Sequence, residues 1–249
     1  MTLDEFSDTF DTLLNSYDVS GNTTISLDEY EKSVFLTKAQ NEIVINLYNG
    51  KNVYGESFEN TEEIRRWLSP LVQRKIYDEE SNYRIDEALL GGYEEDEKDY
   101  YWYNYELPEN LMYITLEQAE VDNTNTCFRK TIRIQPVSQD EFNIIKYNPF
   151  KGPTKYKALR LDCGSAVNDE VEHHLVEIFS KVPLKHYTIW YLEKPTPIVL
   201  TDLPYGVSID GCNTPTECRL NPAFHMAILE RAVALAIASK SVANKKDSE

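Results

Sequence analysis

Phe128-Arg129-Lys130-Thr131-Ile132-Arg133-Ile134 alternates in the manner of a half-buried strand, and it stands between two long regions of helical spacing. That contrast decides the fold class. Reading on from it, Ser138-Gln139-Asp140-Glu141 caps a short helix through Ile145, and Asn148-Pro149-Phe150-Lys151-Gly152-Pro153 forms a rigid turn. Tyr156 to Leu161 is the next strand. Val171, Leu175 and Ile178 recur at helical spacing and predict a helix that ends before Pro183. Tyr187-Thr188-Ile189-Trp190-Tyr191-Leu192 and Ile198-Val199-Leu200 predict two more strands, with Pro195 and Pro197 as a bend or edge between them. The middle of the chain is therefore expected to be a small mixed sheet bearing short helices.

Helices flank it. Thr2 and Glu5 form a capping box for a helix to about Ser16, with Leu3, Phe6, Phe10, Leu13, Leu14 and Tyr17 at helical spacing. Ser26-Leu27-Asp28-Glu29 offers a second box for a helix to about Tyr48, stopped by Gly50. Asn60-Thr61-Glu62-Glu63 opens a third through Trp67 and Leu68, with Pro70 at its end. Asn221-Pro222 caps a last helix, Ala223 to Lys240, which lacks a polar face and so is expected to be buried in a core or between subunits. Phe224, Leu229, Val233 and Ile237 are its candidate subunit-interface residues. The fold class is α+β, with N- and C-terminal helices packed with the central sheet. The expected regions are a helical 1–77, an acidic and aromatic loop or hairpin at 78–122, a mixed α/β 123–205, and the terminal helix and frayed tail at 206–249, compact with 1–77.

Charge is unevenly placed. The 249 residues include 42 acids and 25 bases, a net charge of −17. Residues 1–31 hold eight acids and no base, and 78–122 hold fifteen acids against Arg84 and Lys98, a local −13. Residues 129–160 reverse this with eight bases against Asp140 and Glu141, a local +6. Such segregation fits either solvated faces or two surfaces that meet, within a subunit or between neighbours. Tyr93 through Tyr105 interleaves tyrosines and Trp102 with acids, which suits a loop or hairpin whose rings lie on a neighbouring surface.

Several classes are excluded. So acidic a chain is a poor grip for the phosphate backbone. The apolar stretch 222–239 carries His225, Glu230 and Arg231 at its middle, so no membrane crossing is expected. The first residues show neither a basic nor an apolar signal region, and no secretory signal is expected. Cys127, Cys163, Cys212 and Cys218 lack C-x2-C or zinc spacing and are expected to be reduced structural thiols. No Gly-rich nucleotide loop or G-x-S-x-G elbow occurs, and Cys163-Gly164-Ser165 is expected to be only a turn. His173, His174, His186 and His225 show no completed site; His174 and Glu177, three apart on the expected helix, lack a second Glu-x-x-His unit. No catalytic, cofactor or metal residue is assigned, and the chain is expected not to be an enzyme.

One motif keeps an alternative open. Asp18-Val19-Ser20-Gly21-Asn22-Thr23-Thr24-Ile25-Ser26-Leu27-Asp28-Glu29 resembles a twelve-residue EF-hand calcium loop, with Asp18, Ser20 and Asn22 at positions 1, 3 and 5 and Glu29 as the bidentate carboxylate. Thr23 stands where the sharp turn wants Gly, and no second loop pairs with it. The expectation is a helix–helix turn without calcium; a calcium-binding regulatory protein is the alternative.

Three stretches carry a wider likeness: Thr24 to Gln40; Ile134 to Phe142 with Asn148-Pro149-Phe150; and Asn221-Pro222-Ala223-Phe224-His225 running into Ile228-Leu229-Glu230-Arg231-Ala232-Val233. Together they resemble the ring proteins of crAss-like tailed bacteriophages, stacked between portal and tail. The resemblance implies a virion structural protein, made in the cytoplasm of a bacterial host. It would form a twelve-fold homo-oligomeric ring in the neck, touching the portal protein and other neck or tail rings. Double-stranded DNA would pass through its channel without specific binding, to be retained and later ejected.

Overall fold

A computed structural model describes residues 1–17, 26–52, 55–78, 100–121, 131–146, 148–168 and 171–246. In chain order its elements are α1 (Leu3–Tyr17), α2 (Glu29–Asn49), α3 (Glu62–Leu68), β1 (Val72–Asp78), β2 (Tyr101–Glu106), β3 (Leu111–Val121), β4 (Thr131–Val137), α4 (Gln139–Ile145), β5 (Lys157–Asn168), β6 (Val171–Ser180), β7 (Leu184–Glu193) and α5 (His225–Lys246). This is an α+β chain, as expected. It divides into two compact units: Met1–Leu71 with Lys194–Glu249, and Val72–Glu193.

In the first unit, α5 packs on α1 and α2. Phe6, Phe10 and Leu14 of α1 are buried, as are Leu36, Ala39, Val44 and Leu47 of α2 and Ile228, Leu229, Ala232, Val233 and Ala236 of α5. The Thr2–Glu5 box forms: Glu5 N–H donates to Thr2 Oγ1 at 3.3 Å and Thr2 N–H to Glu5 Oε2 at 2.9 Å. The second box lies two residues beyond the expected one. Asp28, not Ser26, caps α2, with Glu31 N–H donating to Asp28 Oδ1 at 2.7 Å and Asp28 N–H to Glu31 Oε2 at 3.3 Å. The Glu29 carboxylate that a Ser26 box would use is bound instead by Ser7 and Lys32. Gly50 ends α2 at φ 74°, where only a residue without Cβ is unstrained. Asn221 Oδ1 accepts from Ala223 N–H at 3.0 Å, and Pro222 opens a 3-10 turn that leads into α5.

The expected strand Ile198–Leu200 is not one; its contact with strand-like backbone is a lone bridge from Val199 to Thr216. Its backbone is satisfied by a helix instead. Ser33, Thr37 and Gln40, one helical stripe of α2, are buried against it. Leu200 N–H donates to Ser33 Oγ at 3.0 Å, Ile198 N–H to Thr37 Oγ1 at 3.1 Å, and Gln40 Nε2 to the Thr196 carbonyl at 2.7 Å.

The second unit holds a seven-stranded sheet among the described residues, in the order β1-β7-β3-β4-β5-β6-β2, antiparallel except for the β4–β5 pair. It is larger than the small sheet expected from sequence. Val72–Asp78, expected within the helical region, is an edge strand, and the expected loop or hairpin at 78–122 supplies β2 and the long β3, which do not pair with each other. The expected helix at Val171–Ile178 is β6. Its misleading spacing arises because the strand is buried on both faces, with Val176 and Ile178 on one and Glu177 and Phe179 on the other. Cys163-Gly164 is no turn but a bulge within β5, at the register shift between Asp162 and Gly164.

The sheet curls until its two edge strands meet. Tyr77 of β1 lies 5.2 Å from Tyr105 of β2, and its hydroxyl donates to the Glu106 carbonyl at 2.7 Å. The inner face is a core of Tyr77, Tyr105, Tyr187, Tyr191, Ile132, Ile134, Val176, Ile178 and Ile189. On the outer face α4 sets Phe142 against Phe179 at 5.7 Å and Trp102 at 5.6 Å. The rings of 100–105 therefore do cover a neighbouring surface, one within their own unit. Residues 79–99 of the acidic tract, Cys127, Phe128 to Lys130, and the last tail residues 247–249 lie outside the described residues.

Candidate functional site

Of the calcium-loop candidate, residues 18–25 lie outside the described residues, so Asp18, Ser20 and Asn22 do too. Glu29 is described, and its carboxylate is occupied. Glu29 Oε1 accepts from Ser7 Oγ at 2.9 Å and from Lys32 Nζ at 3.0 Å, and the same ammonium donates to Asp11 Oδ2 at 2.7 Å. Lys32 is 3% exposed. Burial alone would lower its pKa, but its hydrogen bonds to the Asp11 and Glu29 carboxylates, with their negative charge, outweigh that and hold it above the ordinary value. The cation beside Glu29 is the chain's own lysine.

His174, His186 and His225 are dispersed; the His173 side chain lies outside the described residues. His174 is exposed on β6, and three positions of strand put it on the opposite face from Glu177, not on the same side of a helix. His186 Nδ1 lies 2.8 Å from the Asp78 carboxylate, its cross-strand neighbour. His225 is buried against Phe6, with rings 5.1 Å apart and Nε2 3.3 Å from the Leu220 carbonyl; burial lowers its pKa. No group of three His, Cys, Asp or Glu among the described residues could hold a metal.

Two of the thiols are held in the neutral form. Burial, with Glu177 beside it, pushes Cys163 up to about 12, and burial raises Cys218 as well. Glu177 is itself raised by burial. Cys163, Cys212 and Cys218 are unpaired. An open groove of about 710 Å³ in the first unit is lined by Glu62, Glu63, Arg66, Trp67 and Asn221, whose side chains are not a nucleophile–base pair.

The interface candidates on α5 and on the turn that leads into it separate by depth. Leu229 and Val233 are fully buried within the chain, whereas Phe224 and Ile237 are half-buried, Phe224 edge-on to Trp67 at 5.0 Å. Opposite charge does meet inside the second unit: Glu117, from the acidic segment, binds Arg160, from the basic one, at 2.9 Å. The largest exposed side chains lie elsewhere, with Tyr205 and Phe150 foremost, and sequence reading had not marked either as a surface feature.

A chain with few chemical groups converging and many large side chains at the surface is suited to assembly. The family model for phage tail ring protein 3/4 matches residues 1–248. The chain belongs to this family of phage tail ring proteins. It is similar to "Ring protein 3" of Bacteroides phage crAss001, 43% identical over 97% of each chain. It is also similar to "Ring protein 4/5" of the same phage, 34% identical over 96% of this chain and 93% of the other. The ring protein is thus a structural component of a phage virion, whose working form is an oligomer assembled with other tail ring proteins. The signal legible in sequence was the likeness spread along the chain, not any constellation of side chains.

Proposed function

We propose that the ring protein forms a closed twelve-fold ring in the virion neck, joins portal to tail and extends the DNA channel, through which the genome is retained and ejected. The observation that carries this reading is the match to the tail ring family from one end of the chain to the other. Physical features support it. A net charge of −17 lets DNA slide past without being gripped. Acidic and basic stretches segregated along the sequence suit heterologous contacts, which close into a ring when the rotation allows. The subunit contact would use the half-buried Phe224, in the turn before α5, and Ile237 on α5, with Leu229 and Val233 bracing the helix from within. The protein is made in the cytoplasm of the bacterial host and carried into the particle. The test is gold labelling of an epitope-tagged chain in purified virions. Label confined to the head–tail junction is expected; label over the capsid shell, or purified virions that contain no copy of the chain, would overturn the reading.

A further inference from the structure

The segment joining α4 to β5 in the second unit is built to hold an exposed aromatic residue rigidly. Phe150 is 90% exposed, Ile144 at the end of α4 is 75% exposed and Tyr156 is 50% exposed. Exposed apolar residues on a mobile loop would mean little, but the turn from Asn148 to Gly152 is held by its own hydrogen bonds. Asn148 Oδ1 accepts from Phe150 N–H at 2.9 Å and Lys151 N–H at 3.1 Å, and the Asn148 carbonyl accepts from Gly152 N–H at 2.7 Å. A Cβ on Gly152 would stand 2.6 Å from that carbonyl oxygen and 2.9 Å from the Lys146 carbonyl, so only glycine closes the turn. Tyr156 is tied to the sheet by its carbonyl, which accepts from Arg133 N–H at 3.1 Å. Two bases stand beside these rings: Lys151 is exposed and Lys155 Nζ lies 5.0 Å from the Tyr156 ring.

We propose that this turn, with Phe150 at its tip, is the plug by which each subunit docks into the acidic surface of a second copy of the same chain. The inference rests on the ring reading above and names the contact that would close the ring. A pre-ordered aromatic anchor surrounded by a polar rim is the usual centre of an interface, and its rigidity removes much of the entropic cost of docking. Charge complementarity selects the partner. Residues 1–31 of a second copy carry eight acids and no base, and Asp4, Glu5 and Asp8 are exposed on α1. DNA is the less favoured occupant, because the Lys157 ammonium is engaged by the Lys151 carbonyl and a bare phenyl and an isoleucine offer nothing to phosphate.

The test places the photo-crosslinking residue p-benzoylphenylalanine at position 150 in assembled rings or virions. A covalent product of twice the subunit mass, with both peptides from this chain, is expected. In parallel, Phe150→Asp with Lys151→Glu should weaken subunit association by about tenfold or more while the monomer's circular dichroism stays unchanged. Crosslinks to another virion protein or to DNA, or an F150D/K151E ring as stable as the unaltered one, would overturn this inference and leave the ring reading standing. Failure of the unaltered chain to form any ring in virions would overturn both.

Discussion

Glu117 of β3 and Arg160 of β5 meet across the intervening strand β4, with 2.9 Å from Arg160 Nη1 to Glu117 Oε1. The same oxygen accepts the Tyr187 hydroxyl at 2.5 Å from the strand on the other side. Both members of the pair are close to fully buried, with side chains 11% and 7% exposed. One carboxylate therefore ties together three strands of a tyrosine-lined inner face, and one acid–base pairing between the −13 and +6 segments is made within a subunit. Burial, and then the neighbouring carboxylate, drive the Tyr187 pKa well above its ordinary value, so this phenol stays a donor.

Removing one partner strands the other in the core. Glu117→Ala should destabilise the second unit by about 3–5 kcal/mol, whereas Glu117→Leu combined with Arg160→Met should recover most of that. Chemical denaturation of the two variants beside the unaltered chain checks it. Equal losses in single and double variants would show that the pair is not coupled.

The Lys32 cage makes a different prediction. Lys32→Met should cost about 1–2 kcal/mol, since the two carboxylates it serves are partly solvated and can rehydrate. Because the folded-state pKa is raised, the stabilisation is fully present below about pH 10.5 and is lost as pH climbs through the folded value. Added calcium should leave the melting temperature unchanged. Calorimetric detection of micromolar calcium binding that Glu29→Ala abolishes would contradict the assignment of Glu29 to Lys32.

His225 sets an acid limit. Burial lowers its pKa, so the unfolded state binds its proton more readily, and stability should fall as pH drops from above about 6.5 through the folded value. His225→Gln should flatten that part of the melting-temperature profile. A histidine substitution that leaves the acid slope untouched would assign the effect elsewhere.

Leu229 lies fully buried where α5 packs on α1 and α2. Leu229→Asp should cost several kcal/mol and prevent folding, because an unpaired carboxylate there has no partner or solvent. A soluble, folded, assembly-competent variant would contradict its place in the core.

The helices were legible because their signals are local. Thr2 with Glu5, Gly50 and Asn221-Pro222 act within a turn of themselves, and α1 and α2 begin and end within a few residues of expectation, while α5 starts as expected but runs past Lys240 to Lys246. The sheet was only half legible. Ile132 and Ile134 alternate with exposed residues and marked β4 correctly, but β6 is apolar on both sides and its spacing imitates a helix. The tyrosines of β2 looked like a surface tract because nothing local says that β1 and β2, distant in the sheet order, close over each other. Ser33, Thr37 and Gln40 read as ordinary helix positions; their partner backbone lies more than a hundred residues away. The exposure of Phe150 was likewise hidden, since sequence shows the turn but not which side of it faces water.

If surfaces of opposite charge meet between subunits, assembly should respond to salt. Exposed pairs are screened beyond about 8–10 Å at ordinary ionic strength, while apolar contacts persist, so raising salt should weaken the ring without abolishing it. Sedimentation across a salt series checks this. Association that strengthens steadily with salt would show apolar contact alone to be in control.

Electron microscopy of intact virions, at a resolution that traces the chain, tests the central claim most directly. The account predicts a closed ring of this chain, coaxial with the portal and lying between it and the tail, with the DNA path through its centre. Density for the chain in the capsid shell, or as isolated copies off that axis, would contradict it.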